Sequence, residues 1–218
     1  MSVPSITVVG MIDMANTAHG WSTVAENYAD HYGDELADKP VERAALGLFA
    51  ELVDGPVLEV GSGPGKTTDR LRRLGVDISG LDLAPGMVEV ARKAFPELRF
   101  EVGSMLDLPQ ADASLGGVVA CHALINFRPD WLPAAFAEFA RVVRPGGHVL
   151  LVFQAGEGFT HYSEGFGHSG LDMDAYYFAV DAVTAQLEEA GFAEVVRTVR
   201  RPQEGEPRSH VMLIFRRA

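Results

Sequence analysis

The spacing of hydrophobic side chains changes along the chain. Between residues 21 and 53, apolar residues recur every three or four positions, which is the period of an α-helix. This pattern predicts one helix from Trp21 to Tyr32 and another from about Val41 to Val53. Residues 1–20 show no clear period, so we expect a loose extension in which Met1, Met11 or Met14 could be the natural start.

From residue 56 onward, short apolar runs alternate with amphipathic helical segments. Seven strand-like runs begin at residues 57, 78, 98, 115, 148, 193 and 210. Strands that alternate with helices in this way predict an α/β fold with a mostly parallel sheet covered by helices on both faces. Nothing repeats internally, so residues 1–218 are expected to form a single domain.

The last third of the chain departs from this alternation. Residues 154–170 are rich in glycine, histidine and aromatic side chains, and we expect a long loop there. A helix is predicted from Met173 to Ala190, because its apolar residues are in phase and Gly191 ends it.

A glycine-rich turn between the first strand and the following helix is the strongest chemical signal. Gly61, Gly63 and Gly65 follow the run Val57–Val60. Glycine lets a ligand approach the backbone closely, and the following helix N-terminus offers unpaired N–H groups. The sequence Gly65-Lys66-Thr67 is typical of the phosphate-binding loop of a nucleotide triphosphatase. The first glycine of that loop, however, would be Gly61, which is one position too close to Gly65. The dinucleotide pattern also fails, because its third glycine would fall on Lys66.

An acidic residue stands where a ribose-binding residue is expected. Asp82 ends the second predicted strand, 82 − 61 = 21 residues after Gly61. A carboxylate at this place can accept hydrogen bonds from both ribose hydroxyls. The alternative is that Asp82 only caps the helix opened by Pro85.

Four motifs in this order resemble class I S-adenosylmethionine-dependent methyltransferases, and most closely small bacterial enzymes that act on small molecules. They are Val57–Gly65 (VLEVGSGPG), Gly80–Met87 (GLDLAPGM), Gly103–Pro109 (GSMLDLP) and Arg141–Gly147 (RVVRPGG). The resemblance implies a Rossmann-like seven-stranded sheet whose last strand is antiparallel. It also implies a helical lid over residues 21–53 and a core over residues 56–218, with a loop cap at about residues 154–172.

The resemblance also implies where the cofactor lies. Glycines of the loop would approach its methionine and ribose parts, Asp82 would bind the ribose, and Leu83 and Met87 would pack on the adenine. The residues expected to bind S-adenosylmethionine, and its product S-adenosylhomocysteine, are Tyr28, Glu59, Gly61, Ser62, Gly63, Gly65, Asp82, Leu83, Met87, Ser104, Met105 and Cys121. Ser104 departs from the family, which often has an aspartate here. The loss is expected to weaken adenine binding by about 1 kcal/mol.

Methyl transfer by in-line displacement needs few protein groups, and positioning supplies much of the rate. A hydroxyl acceptor also needs a base, most often histidine. The candidate bases are His122, which follows the fourth strand, and His161 and His168 in the expected loop. Each could instead be an ordinary structural or solvent-facing histidine. Residues expected to contact the acceptor are Trp21, Asn126, Phe127, Phe159 and Tyr162.

The composition of the chain limits the classes of molecule that it is expected to bind. Lys and Arg number 18 and Asp and Glu 30, for a net charge of −12, which disfavours nucleic acid and anionic membranes. The single cysteine excludes an internal disulfide framework, and no ligand spacing suggests a metal. We see no targeting signal or membrane-spanning run, so we expect a cytoplasmic monomer or homodimer.

These observations predict a methyltransferase that acts on an oxygen, nitrogen or carbon atom of a small-molecule acceptor. One alternative keeps the cofactor fold without methyl transfer, as a regulatory or partner subunit or a cyclase. The nucleotide triphosphatase built on Lys66 is the other.

Overall fold

The N-terminal third is helical. The computed structural model describes residues 8–33 and 36–218, and for residues 8–13 it describes only the backbone. Helix α1 spans Val8–His31 and helix α2 spans Pro40–Leu52. The predicted loose extension is therefore wrong for residues 8–20, and its first seven residues lie outside the described part. Tertiary contact explains the difference, because the Asn16 side-chain amide donates a hydrogen bond to Asp172, 2.8 Å away on a later strand.

A seven-stranded sheet forms the centre of the fold. Its strands are β1 (Val57–Val60), β2 (Ile78–Asp82), β3 (Phe100–Val102), β4 (Leu115–Cys121), β5 (Val143–Gln154), β8 (Phe192–Arg200) and β9 (His210–Arg217). They lie in the order β3-β2-β1-β4-β5-β9-β8. The first five pair in parallel, whereas β9 is antiparallel to both of its neighbours. The predicted sheet and its antiparallel last strand are confirmed.

Helices cover both faces of this sheet. They are α3 (Lys66–Arg73), α4 (Pro85–Ala94), α5 (Leu132–Val142) and α6 (Val180–Glu189), together with α2. On one face, Phe136 and Phe139 of α5 are buried against the sheet, and on the other Phe49 of α2 and Leu71 of α3 are buried. Strand β1 is buried along its whole length, as expected for a central strand with helices on both sides.

The loop expected at residues 154–170, and with it the loop cap, is largely a β-hairpin. Strand β6 (Phe159–Gly165) pairs antiparallel with β7 (His168–Tyr176) through a turn at Phe166 and Gly167, with φ angles of 50° and 78°. Two positive φ values match the tight turn that favours right-twisted hairpins. The helix predicted from Met173 begins seven residues later, at Val180, because residues 173–176 belong to β7.

Several candidate site residues lie at one edge of the sheet. Parallel strands β1, β2 and β4 end there, and the antiparallel strand β9 begins there with His210. Ligands of open α/β sheets bind at this carboxyl edge. Among helices of the described residues, none has the length and apolarity needed to cross a membrane.

Candidate active site

The glycine loop after β1 has a left-handed backbone at all three glycines. Two of them are required for different reasons. A Cβ on Gly61, whose φ is 66°, would lie 2.4 Å from the Cβ of Ala123, so close packing excludes a side chain. A Cβ on Gly63, whose φ is 51°, would meet no described atom within 4 Å. Gly63 therefore faces open space, where a ligand can approach the main chain.

Asp82 ties this loop to the neighbouring strand. Its carboxylate accepts hydrogen bonds from the backbone N–H of Gly63 at 2.7 Å and of Ala84 at 2.8 Å. The residue is 9% exposed, and this burial raises the pKa of its carboxyl group, while the two backbone donors lower it. Each carboxylate oxygen has capacity for a further hydrogen bond, so Asp82 can anchor the loop and still bind a ligand hydroxyl.

Glu59 lies beneath the loop, in the buried strand β1. The hydroxyl of Thr68 in α3 donates a hydrogen bond to its carboxylate. Burial raises the pKa of Glu59 to about 8, and the nearby Asp82 carboxylate adds to the rise, although the Thr68 hydrogen bond lowers it. Glu59 therefore connects the strand before the loop with the helix after it.

A cavity of about 550 Å³ opens beside the loop and contains most of the expected site. Asp82, Gly61 and Gly63 form its floor, and α1 and the β6–β7 hairpin lie over it. The expected residues that line it are Trp21, Tyr28, Gly61, Gly63, Asp82, Leu83, Met87, Ser104, Met105, Cys121, His122, Asn126, Phe127 and Tyr162. Its size suits a ligand of a few hundred daltons.

A second cavity, of about 470 Å³, lies on the other side of the loop, next to α2 and α3. Glu59 and Ser62 line it, and it shares Tyr28, Gly61 and His122 with the larger cavity. The loop backbone thus separates two spaces that meet at the end of β4.

Four expected residues lie outside both cavities. Gly65 packs against Phe100, whose ring would be 2.6 Å from an added Cβ. Phe159 is 59% exposed. On the hairpin, the Nδ1 of His161 is 2.9 Å from the Asp174 carboxylate, and the Nε2 of His168 is 3.3 Å from the Asn27 amide.

Two of the expected site residues, Ser104 and Trp21, take part in hydrogen bonds. The Ser104 hydroxyl accepts from the Leu106 N–H at 3.1 Å, which orders the loop after β3. The Trp21 indole N–H donates to the side-chain oxygen of Asn126 at 2.8 Å. Trp21 thereby joins α1 to the turn after β4, and its ring packs edge-on against Tyr28.

Polar residues near the end of the chain also line the cavity and were not predicted from the sequence. Glu206 and His210 line the larger cavity, and Tyr177 and Gln154 lie nearby in its wall. The available signal is topological, because the first residue of an antiparallel last strand must lie at the carboxyl edge of its parallel neighbours.

The contacts also bear on metal binding and on triphosphatase activity. Within the described ranges, no group of three or more His, Cys, Asp or Glu residues is arranged to hold a metal ion. The Lys66 ammonium, which a triphosphatase would use, donates to the backbone oxygen of Ala29 in α1.

Comparisons with known proteins agree with the motifs. Residues 57–147 match a family model described as a methyltransferase domain. An uncharacterized methyltransferase of Mycobacterium tuberculosis is 37% identical over 99 residues, which are 44% of this chain and 39% of that protein. A demethylmenaquinone methyltransferase of Beutenbergia cavernae is 32% identical over 142 residues, 64% of this chain and 58% of that one. The matched regions thus span between two fifths and three fifths of the length of these relatives.

The fold is also found in solved structures. A methyltransferase of Methanosarcina mazei, described as dependent on S-adenosylmethionine, superposes with a TM-score of 0.69 at 18% identity. The superposition covers 82% of this chain and 97% of that one. The motif order and the family model thus indicate similarity to methyltransferases, and the solved structure shows the same fold.

Proposed function

We propose that the chain, which resembles class I S-adenosylmethionine-dependent methyltransferases and matches a methyltransferase-domain model over residues 57–147, transfers a methyl group from that cofactor to a small-molecule acceptor. The observation that carries the proposal is the placement of Gly63 and Asp82. Both line one cavity at the carboxyl edge of the sheet, and the Asp82 carboxylate is hydrogen-bonded to the Gly63 backbone.

The residues present fit the cofactor. The open space above Gly63 leaves room for the ligand against the main chain. Beside it, Leu83, Met87 and Met105 form an apolar wall suited to an adenine ring. Asp82 has hydrogen-bonding capacity left for ribose hydroxyls. When bound, S-adenosylmethionine supplies a methyl group already activated by its positively charged sulfur.

Besides binding the cofactor, the protein has to position the acceptor and exclude water from the cavity. Helix α1 and the hairpin cover the cavity with Trp21, Tyr28 and Tyr162, and His122 lies at its polar end. Holding an acceptor atom in line with the methyl group supplies much of the rate, and His122 is the candidate base for an acceptor that carries a proton.

The acceptor is a small molecule on this proposal. Side chains of α1, the hairpin and the turn after β4 line the cavity, and its volume of about 550 Å³ suits a compact ligand. One relative is named for demethylmenaquinone, a small-molecule acceptor. The net charge of −12 further disfavours a nucleic-acid substrate.

Calorimetric titration with S-adenosylhomocysteine tests the cofactor site. We expect binding to the wild-type protein and an affinity at least tenfold lower for Asp82→Ala, which is about 1.4 kcal/mol. Because Asp82 also anchors the loop, Asp82→Asn serves as a second variant that keeps most of the side chain. Equal affinity in all three proteins, or no binding to the wild type, would refute the proposal.

A fold that binds the cofactor without transferring its methyl group is the alternative. Incubation with methyl-labelled S-adenosylmethionine and a panel of hydroxyl, amine and carbon acceptors separates the two. Label in an acceptor supports methyl transfer, whereas tight cofactor binding with no transfer to any acceptor supports the alternative.

A further inference from the structure

A buried network of charged residues lies behind the cavity. Arg200, at the end of β8, joins two carboxylates that come from distant parts of the chain. Its guanidinium contacts Glu42 of α2 at 2.8 Å and Glu206 at 2.7 Å. The Arg200 and Glu42 side chains are 9% and 3% exposed. The Arg200 hydrogen bond lowers the pKa of the Glu206 carboxyl group.

His210 stands between these two carboxylates. Its Nδ1 is 3.4 Å from Glu42 and its Nε2 is 3.6 Å from Glu206. The residue is 3% exposed and lines the larger cavity with Glu206. In the described part of the chain, two buried atoms of this network have no hydrogen-bond partner, the His210 Nδ1 and the Glu42 Oε2. A buried polar atom without a partner calls for an explanation, and a role in binding or catalysis is one such explanation.

His122 extends this network along the wall of the larger cavity. It directly follows β4, with its N–H donated to the Val152 oxygen at 2.7 Å. Its φ of 54° is unusual for a residue other than glycine, and such strained backbone is concentrated at functional sites. The His122 and His210 rings are 5.4 Å apart and meet edge to face.

The charge state of His210 depends on the groups around it. Burial lowers the pKa of His210, the positive Arg200 and Lys39 lower it further, and Glu206 and Glu42 oppose them. These surroundings therefore favour the neutral imidazole of His210. A neutral histidine avoids repulsion of the cofactor's positive sulfur before transfer. Two carboxylates nearby can stabilise a positive charge that arises during transfer.

We propose that His122 and His210 form a proton-accepting pair at the acceptor end of the cavity, and that the acceptor is a phenol-like hydroxyl compound. This inference rests on the proposed function. His122 is the catalytic residue that takes the proton. His210 is a positioning residue that orients His122 and, through Glu206 and Glu42, stabilises its positive form.

The step balances without another reactant. The acceptor's O–H bond breaks and its proton passes to the His122 imidazole. An oxygen electron pair forms the new O–C bond while the C–S bond breaks, and that bonding pair stays on sulfur. The positive charge thus moves from sulfur to histidine, and the proton later leaves to solvent.

The side chains that line the cavity favour an aromatic acceptor. Trp21, Phe127, Phe166 and Tyr162 contribute rings to its wall, whereas the histidines and Glu206 form a polar end. A planar ring that carries a hydroxyl group satisfies both parts. An aliphatic carboxylate would place a negative charge beside Glu206, and it would need no base.

A coloured phenol tests the pair without knowledge of the natural acceptor. 4-Nitrophenol, whose ionised form absorbs in the visible range, is added to protein saturated with S-adenosylhomocysteine, at a pH below the phenol's own pKa. We expect the bound probe to ionise in the wild type and to stay neutral in His122→Gln. In His210→Gln we expect the ratio of ionised to neutral probe to fall about tenfold, which is one pKa unit.

Two controls keep the result interpretable. His19→Gln changes an exposed histidine of α1 outside both cavities and should behave as the wild type. Glu206→Gln should lower the ionised fraction of the probe, and it tests the network even if His210→Gln fails to fold. Calorimetric binding of S-adenosylhomocysteine shows whether each variant is folded.

The outcomes separate the two proposals. If S-adenosylhomocysteine does not bind, the proposed function and this inference both fail. If it binds but 4-nitrophenol does not bind or stays neutral in the wild type, the histidine pair alone is refuted. Equal ionisation in the wild type, His210→Gln and Glu206→Gln would also refute the role of His210.

Discussion

At the residue scale, the site depends on side chains that serve the fold and the ligand at once. Asp82 holds the Gly63 backbone while it faces the cavity, and Glu59 holds α3 from beneath the loop. For substitutions at these positions, stability and ligand binding therefore have to be measured separately. Paired variants at neighbouring positions allow this separation.

Alanine at Gly61 and at Gly63 should have different effects. Both positions have positive φ, which costs an alanine about 1–2 kcal/mol of stability. At Gly61 the new methyl group also collides with Ala123, adding about 1–3 kcal/mol. At Gly63 the methyl group enters the cavity, so affinity for S-adenosylhomocysteine should fall about tenfold with only the smaller stability loss. Urea unfolding and calorimetry check both, and equal unfolding free energies for the two variants would contradict this account.

The buried Glu59 predicts a pH dependence of stability. Its folded-state pKa of about 8 lies above its ordinary value of 4.5, so the folded protein binds the proton more tightly than the unfolded chain. The contribution is present at low pH and is lost as pH rises from about 4.5 to about 8, by up to about 1.4 kcal/mol per unit. Glu59→Gln should remove this slope. Unfolding free energies measured at several pH values would contradict the assignment if both curves ran parallel.

At the element scale, the sequence and the structure agree where periodicity is strong and local. The strands from β1 to β4 begin at or within two residues of the expected positions, because buried runs such as Val57–Val60 are bounded by glycine and proline. The β6–β7 hairpin could not be predicted in this way. Its turn uses Phe166 instead of asparagine, and its exposed strand β6 lacks an apolar alternation.

Phe166 holds the hairpin to α1. Its ring lies 5.2 Å from that of Tyr28 and 5.7 Å from that of His31, and its backbone oxygen accepts a hydrogen bond from the Asn27 amide at 2.7 Å. Asparagine tolerates the positive φ of this turn, so Phe166→Asn should keep the hairpin but lose the ring contacts.

Hydrogen exchange checks this expectation. Amides of residues 159–176 should exchange roughly tenfold faster in Phe166→Asn, because each aromatic contact contributes about 0.5–1.5 kcal/mol. The core strand β4 should be unaffected. Ser163→Ala, at an exposed position of the same hairpin, is the control. Unchanged exchange in Phe166→Asn would show that other contacts hold the hairpin in place.

At the scale of the whole molecule, the sequence predicts which residues meet near the glycine loop, whereas it does not predict the charged network near His210. The loop and Asp82 are joined by a short stretch of chain, so spacing alone indicates them. The network of Glu42, Arg200, Glu206 and His210 joins α2 to the last two strands, up to 168 residues apart (210 − 42). Only the sheet order, with β9 beside β5, brings these residues together.

The central claim is that one crevice at the carboxyl edge of the sheet binds the adenosyl cofactor. A crystal structure of the protein with S-adenosylhomocysteine tests it most directly. We predict the ribose hydroxyls within about 2.5–3.0 Å of the Asp82 carboxylate, and the sulfur facing the end of β4 near His122. A ligand bound elsewhere, or a ribose directed away from Asp82, would contradict the account.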